Sequence, residues 1–148
     1  MEIEAAKKYV GVLLDYQFDL LHTQQWGLNH AEFLFIKATE FILEHPPLKS
    51  WILGLIEITL KEHFGTSLPG GSRPKDYVPE DYIWYLIHAT RWNEFYNIAE
   101  SLKGTPVDLW TSNLITTSSS TILAALDDDW EDQEFYESFQ RGGFKQTV

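Results

Sequence analysis

From Tyr9 to Leu20 the large apolar residues return at steps of four, three and four: Tyr9, Leu13, Tyr16, Leu20. Val10, Leu14 and Leu21 form an adjacent stripe, while Lys7, Lys8, Asp15 and Asp19 fall at other angles. A period near 3.6 residues puts such a stripe on one side of an α-helix, and it does not fit a strand, whose period is 2. An amphipathic helix of this kind must bury its stripe against something else. The rest of the chain supplies that partner in the same rhythm, so the expected fold is all-α.

Proline and glycine divide the rhythm into pieces. The first helix is expected from about Ile3 to Gln25, with Gly27 as its C-terminal cap. The second is expected after Asn29, which can accept from first-turn amides, with Glu32 as the capping-box acid. Phe33, Ile36 and Leu43 line one side of it, and Pro46 and Pro47 stop it. A third helix runs from about Leu48 to Phe64, carrying Trp51, Leu55 and Ile58, and stops at Gly65. "GTSLPGGSRPKDYVP", residues 65–79, holds three prolines and three glycines and reads as a solvated loop. A fourth helix starts at Pro79, with Glu80 and Asp81 at the positive end of its dipole. It extends to Lys103 and ends at Gly104, either as one helix or broken near Thr90. Thr105-Pro106-Val107-Asp108 opens a fifth helix that includes Trp110 and Leu114. Thr111 to Thr121 reads as part of one continuous helix through Leu126 or as a break near Ser118 followed by a short helix, with a strand as the lesser alternative, because Ser and Thr compete with the helical backbone. A last, acidic helix is expected over residues 126–139, capped by one of Asp127 to Asp129, with 142–148 as a fraying tail. The expectation is one domain over 1–148, a bundle or a short HEAT-like array of five to seven helices.

At 148 residues the chain is long enough to bury a core without staples, and it has no cysteine, which excludes disulfides and thiolate metal cages. The start, "MEIEAAKKYV", lacks the apolar core of a signal peptide. No apolar run approaches the ~20 residues of a membrane helix. A cytoplasmic protein is expected. The formal net charge of −11 repels nucleic acid and anionic membranes and attracts cationic surfaces. The basic residues are dispersed among twice as many acids, so no basic stripe suits a phosphate backbone.

The signatures of catalysis are sparse. There is no H-E-x-x-H, no G-x-S-x-G and no phosphate loop of the form G-x-x-x-x-G-K-[ST]. Asp19 precedes His22 by three residues, a single instance of a spacing that di-metal bundles repeat on facing helices. Glu40 and Glu44 stand one turn apart, as a carboxylate pair or as a solvated face. No cofactor, metal or catalytic residue is assigned, and a non-enzymatic protein is expected.

Acids and rings concentrate at two places. "LDDDWEDQEFYESF", residues 126–139, places Asp128, Asp129, Glu131, Asp132 and Glu134 around Trp130. Phe135 and Phe139 share a face that can dock, leaving the acidic face as a recognition surface. The second patch is Glu80, Asp81, Tyr82 and Tyr85 at the start of the fourth helix. A negative patch speeds encounter with a basic protein, and an aromatic anchor slows departure.

This combination resembles the small, acidic, helical immunity proteins that neutralise bacterial toxins, basic nucleases among them. The resemblance lies in composition. Colicin-type immunity proteins carry paired tyrosines followed by proline, whereas here Ile83 and Trp84 separate Tyr82 from Tyr85 and no proline follows. The resemblance implies a cytoplasmic antitoxin that binds a basic toxin domain. The alternatives are a helical adaptor or homodimeric assembly module, and an enzyme with a polar pocket between helices.

Overall fold

The computed structural model describes residues 2–24, 28–63, 71–103, 122–124 and 126. Every regular element among them is helical: α1 (Ile3–Phe18), a π-helical turn (Asp19–Thr23), α2 (Leu28–Glu44), α3 (Leu48–Glu62), α4 (Glu80–Thr90) and α5 (Glu94–Lys103). The all-α expectation holds. No helix among the described residues is long and apolar enough to cross a membrane.

α1 and α2 run antiparallel, with Tyr9 beside Phe41 at one end and Tyr16 beside Phe33 at the other. α2 packs in turn on α4, α3 packs on α5, and both α1 and α2 reach α3. The buried stripe of α1 is Ala6, Val10, Leu14, Gln17 and Phe18. It meets Phe35, Ala38 and Ile42 of α2 and Ile52, Ile56 and Leu60 of α3 in one continuous core.

At the centre of that core stand Phe35, Tyr82 and Tyr85. Phe35 stacks on Tyr82 at 5.3 Å between centroids and tilts against Tyr85, also at 5.3 Å. The Tyr82 hydroxyl lies 3.1 Å from Thr39 Oγ1, which settles its polar end in the interior. Burial raises the Tyr82 pKa, so the group stays a neutral phenol.

Several boundaries differ from the sequence expectation. The first helix leaves α geometry after Phe18 rather than continuing to Gln25, and Gln24 N–H bonds Asp19 O, five residues back, at 2.8 Å. α2 begins at Leu28, so Asn29 lies in its first turn and is not its cap. α3 ends at Glu62, short of Phe64. The fourth helical pattern is two helices, because Arg91 adopts a left-handed conformation (φ 51°) and ends α4 after Thr90. The expected fifth helix from Thr105, the ambiguous stretch from Thr111 to Thr121, and the acidic stretch from Asp127 onward lie outside the described residues.

The segment from Gly71 to Pro79 is fastened to the bundle. Gly71 N–H donates to Thr23 Oγ1 at 2.9 Å, and its φ of 121° suits glycine. Arg73 Nε donates to Asp15 Oδ1 at 2.8 Å, and Arg73 Nη1 donates to Tyr77 O at 2.7 Å. Val78 N–H donates to Thr59 Oγ1 at 2.9 Å, while Thr59 donates to Leu55 O at 2.8 Å. The solvated loop of the sequence reading is thus, over these residues, a strap across α1 and α3.

Thr59 is buried and serves both α3 and the strap. Thr59→Val keeps the shape but strands the Val78 amide, and it should cost about 1–3 kcal/mol in urea denaturation. Thr59→Ser should retain most of that stability.

Candidate functional site

Tyr82 and Tyr85 do not form a surface patch. Both are fully buried, because the face that carries them meets Phe35 and Thr39 of α2. Glu80 and Asp81 are half-buried at the start of α4, where their charges join burial in raising the Tyr77 pKa. The proposed contact set Asp128, Asp129, Trp130, Glu131, Asp132 and Glu134 lies outside the described residues.

The exposed rings are elsewhere. Tyr9, Val12 and Tyr16 of α1 are 43%, 63% and 53% exposed, and Phe33 of α2 is 54% exposed. Their positions follow from helix phase: Tyr9, Val12 and Tyr16 recur at three and four, turned away from the stripe of Val10, Leu14 and Phe18. Tyr9 lies 4.4 Å from the half-buried Phe41, and Tyr16 meets Phe33 edge-on at 6.4 Å. Lys37 lies exposed between the two ring pairs in sequence, and the exposed acids Asp15, Glu40 and Glu44 belong to the same two helices. The result is an aromatic seam with ionised side chains around it. Rings held in pairs lose little further freedom on binding and offer large contact areas. Helical spacing alone made Tyr9 and Tyr16 look like core; the adjacent stripe of Val10 and Leu14, one residue along, is the one that takes it.

A second cluster gathers at the π-helical turn. His22 stacks on Phe18 at 4.5 Å, and its Nε2 lies 3.5 Å from the Tyr77 hydroxyl. His63 meets the Tyr77 ring edge-on at 5.4 Å. Burial holds the His22 pKa below the usual histidine range. The wider turn directs His22 toward Phe18 and Tyr77, while Asp19 stays exposed. No group of three His, Asp or Glu side chains with metal-binding geometry occurs among the described residues. Glu40 and Glu44 are both exposed, as a solvated face requires. His45 donates from Nδ1 to Phe41 O at 2.9 Å, closing the end of α2.

His88 and Arg91 join α4 to the downstream chain. Arg91 Nη1 donates to Leu126 O at 2.7 Å, and Arg91 Nη2 donates to His88 Nδ1 at 3.1 Å. That bond requires an unprotonated Nδ1. Burial first, and the Arg91 charge second, push the His88 pKa down to about 4.

Comparison of this chain with protein-family models, curated proteins and solved structures finds no match. The functional reading therefore rests on the arrangement itself: paired rings exposed on α1 and α2 of an acidic chain, with His22, His45, His63 and His88 committed to internal contacts.

The folded protein resists protonating His88, whereas the unfolded chain takes the proton near the ordinary value of 6.5. The stabilisation is complete above that pH and is lost as pH falls toward about 4. Thermal melts should show Tm dropping through this window, and His88→Gln should flatten part of the slope.

Proposed function

We propose that this protein is a non-enzymatic binding protein that captures a basic protein partner on the exposed face of α1 and α2. The observation that carries the reading is the ring seam of Tyr9, Tyr16 and Phe33, exposed on a chain of net charge −11. The charge steers a cationic partner toward the surface, and the rings supply the desolvated anchor that holds it. Neutralisation of a basic toxin domain, with the partner's substrate surface covered, is the form suggested by the compositional resemblance to immunity proteins. The proposed site therefore moves from Tyr82 and Tyr85, which are buried, to α1 and α2.

A second reading is favoured by Val12, an aliphatic residue 63% exposed beside the rings. An apolar seam of this kind also suits a helical assembly module that pairs with itself. Salt separates the two, because charge-steered binding weakens steeply as salt rises and apolar pairing does not.

The test is copurification with a tagged copy from its native host at low and high salt, followed by affinity measurement with the recovered partner. A basic partner released by high salt is expected. Tyr16→Ala with Phe33→Ala should weaken its binding at least tenfold with little change in Tm, since both rings are solvent-facing. Salt-insensitive self-association, abolished by the same pair of substitutions, would replace this reading with the assembly module.

A further inference from the structure

Tyr77 is the largest side chain that the strap from Gly71 to Pro79 buries. Three rings hold it edge-on: Phe18 at 5.9 Å between centroids, His22 at 6.0 Å and His63 at 5.4 Å. The two histidines come from different elements. His22 belongs to the π-helical turn, and His63 follows the last residue of α3. His22 is fixed in turn by its stack on Phe18, with its Nε2 3.5 Å from the Tyr77 hydroxyl. Burial, helped by the Glu80 and Asp81 charges, keeps that hydroxyl protonated. It can therefore donate, at long range, to an unprotonated Nε2. A protonated Nε2 has no lone pair to accept with, so the contact loses its acceptor.

The charges around this cluster do not compensate a proton on His22. Asp19 shares its turn and is exposed, and Asp15 of α1 is paired with Arg73. On the strap, Lys75 and Asp76 are exposed, and Arg73 also holds the Tyr77 carbonyl. Exposed Glu62 stands with His63 at the end of α3, and Glu80 and Asp81 open α4. α2 packs on the π-helical turn, and its first turns carry His30 and Glu32. Burial alone moves the His22 pKa, and it moves it down. A charge on this ring would thus be desolvated with no carboxylate to offset it.

The strap is also held in a strained backbone. Asp76, immediately before Tyr77, has a left-handed φ of 61°. That region is unfavourable for a residue with a Cβ, though aspartate tolerates it better than most. Thr59 Oγ1 donates to Asp76 O at 3.4 Å, and the next residue but one, Val78, donates back to Thr59. The seated Tyr77 ring lies between these anchors and the Thr23–Gly71 bond. Its release would let Asp76 relax.

We propose that Tyr77 is an acid-released latch: protonation of His22 unseats its ring, and the strap opens from the π-helical turn while the helices stay folded. The closed strap keeps His22 neutral, and the open strap lets it take a proton near the ordinary value of 6.5. Opening is therefore favoured as pH falls below that value, and the closed form is complete above it. Opening would uncover Phe18, which is otherwise buried, and free the segment that leads into α4. The latch is separate from the aromatic seam and does not depend on what binds there.

The test is amide hydrogen exchange on the full chain, read by NMR and corrected for the intrinsic pH dependence of exchange. Between about pH 7.5 and about pH 5, protection at Tyr77 and Val78 should fall about threefold or more relative to Val10 and Leu55 inside the helices. His22→Phe keeps a ring against Phe18 but cannot titrate, and it should abolish this pH dependence. His22→Gln, which offers a neutral polar group instead, should do the same if the phenylalanine variant folds poorly. His63→Gln should leave the pH dependence in place. The proposal is overturned if protection at Tyr77 and Val78 does not change with pH. It is equally overturned if Val10 and Leu55 lose protection in step, which is global unfolding, or if the His22 variants keep the wild-type pH dependence.

Discussion

The strap from Gly71 to Pro79 holds the bundle's registry. Its anchors are a charge-assisted bond to Asp15, a backbone bond to Thr23 and the buried Thr59 hydroxyl. Asp15 is exposed, so the Arg73–Asp15 pair alone is worth little. Its weight comes from Arg73, which is mostly buried and also holds the Tyr77 carbonyl, so one side chain fixes both α1 and the strap's own course. With the strap fixed, α4 starts where Tyr82 and Tyr85 must enter the core beside Phe35. The exposed seam on α1 and α2 is a consequence, because the opposite faces of both helices are committed to that core.

The two faces of α1 illustrate what a sequence can decide. Two interleaved apolar stripes were visible, Tyr9-Leu13-Tyr16 and Val10-Leu14, and either can be core by periodicity alone. The structure buries the aliphatic stripe and leaves Tyr9 and Tyr16 largely outside. Tyrosine tolerates that position because its ring is apolar and its hydroxyl is wet. Tyr82 and Tyr85 went the other way, since Thr39 on a different helix supplies the polar contact for Tyr82. No local pattern around residue 82 announces a partner 43 positions earlier.

Local punctuation was more legible. Pro47 before Leu48 and Pro79 before Glu80 sit where breaker chemistry placed them, whereas the break after Thr90 rests on the left-handed backbone of Arg91, with no proline or glycine to mark it. The strap was misread because its composition is that of a free loop. Its order comes from contacts with Asp15, Thr23 and Thr59, which lie 58, 48 and 19 residues away from their strap partners. The π-helical turn left no compositional trace either, since its geometry is set by what His22 and Thr23 touch rather than by the residues' propensities.

That turn also sets the phase of everything around it. A bond spanning five residues instead of four accommodates one residue more than an α-helix would in the same turn. Removing a single residue between Asp19 and Thr23 would let the helix close in ordinary α geometry. Each residue of an α-helix turns it by ~100°, so Thr23 would swing away from Gly71 and the strap would lose an anchor. The molecule is therefore asymmetric in its tolerance: substitutions at Val12 or Tyr16 change only what α1 presents, whereas a one-residue deletion at its end loosens the segment that leads into α4.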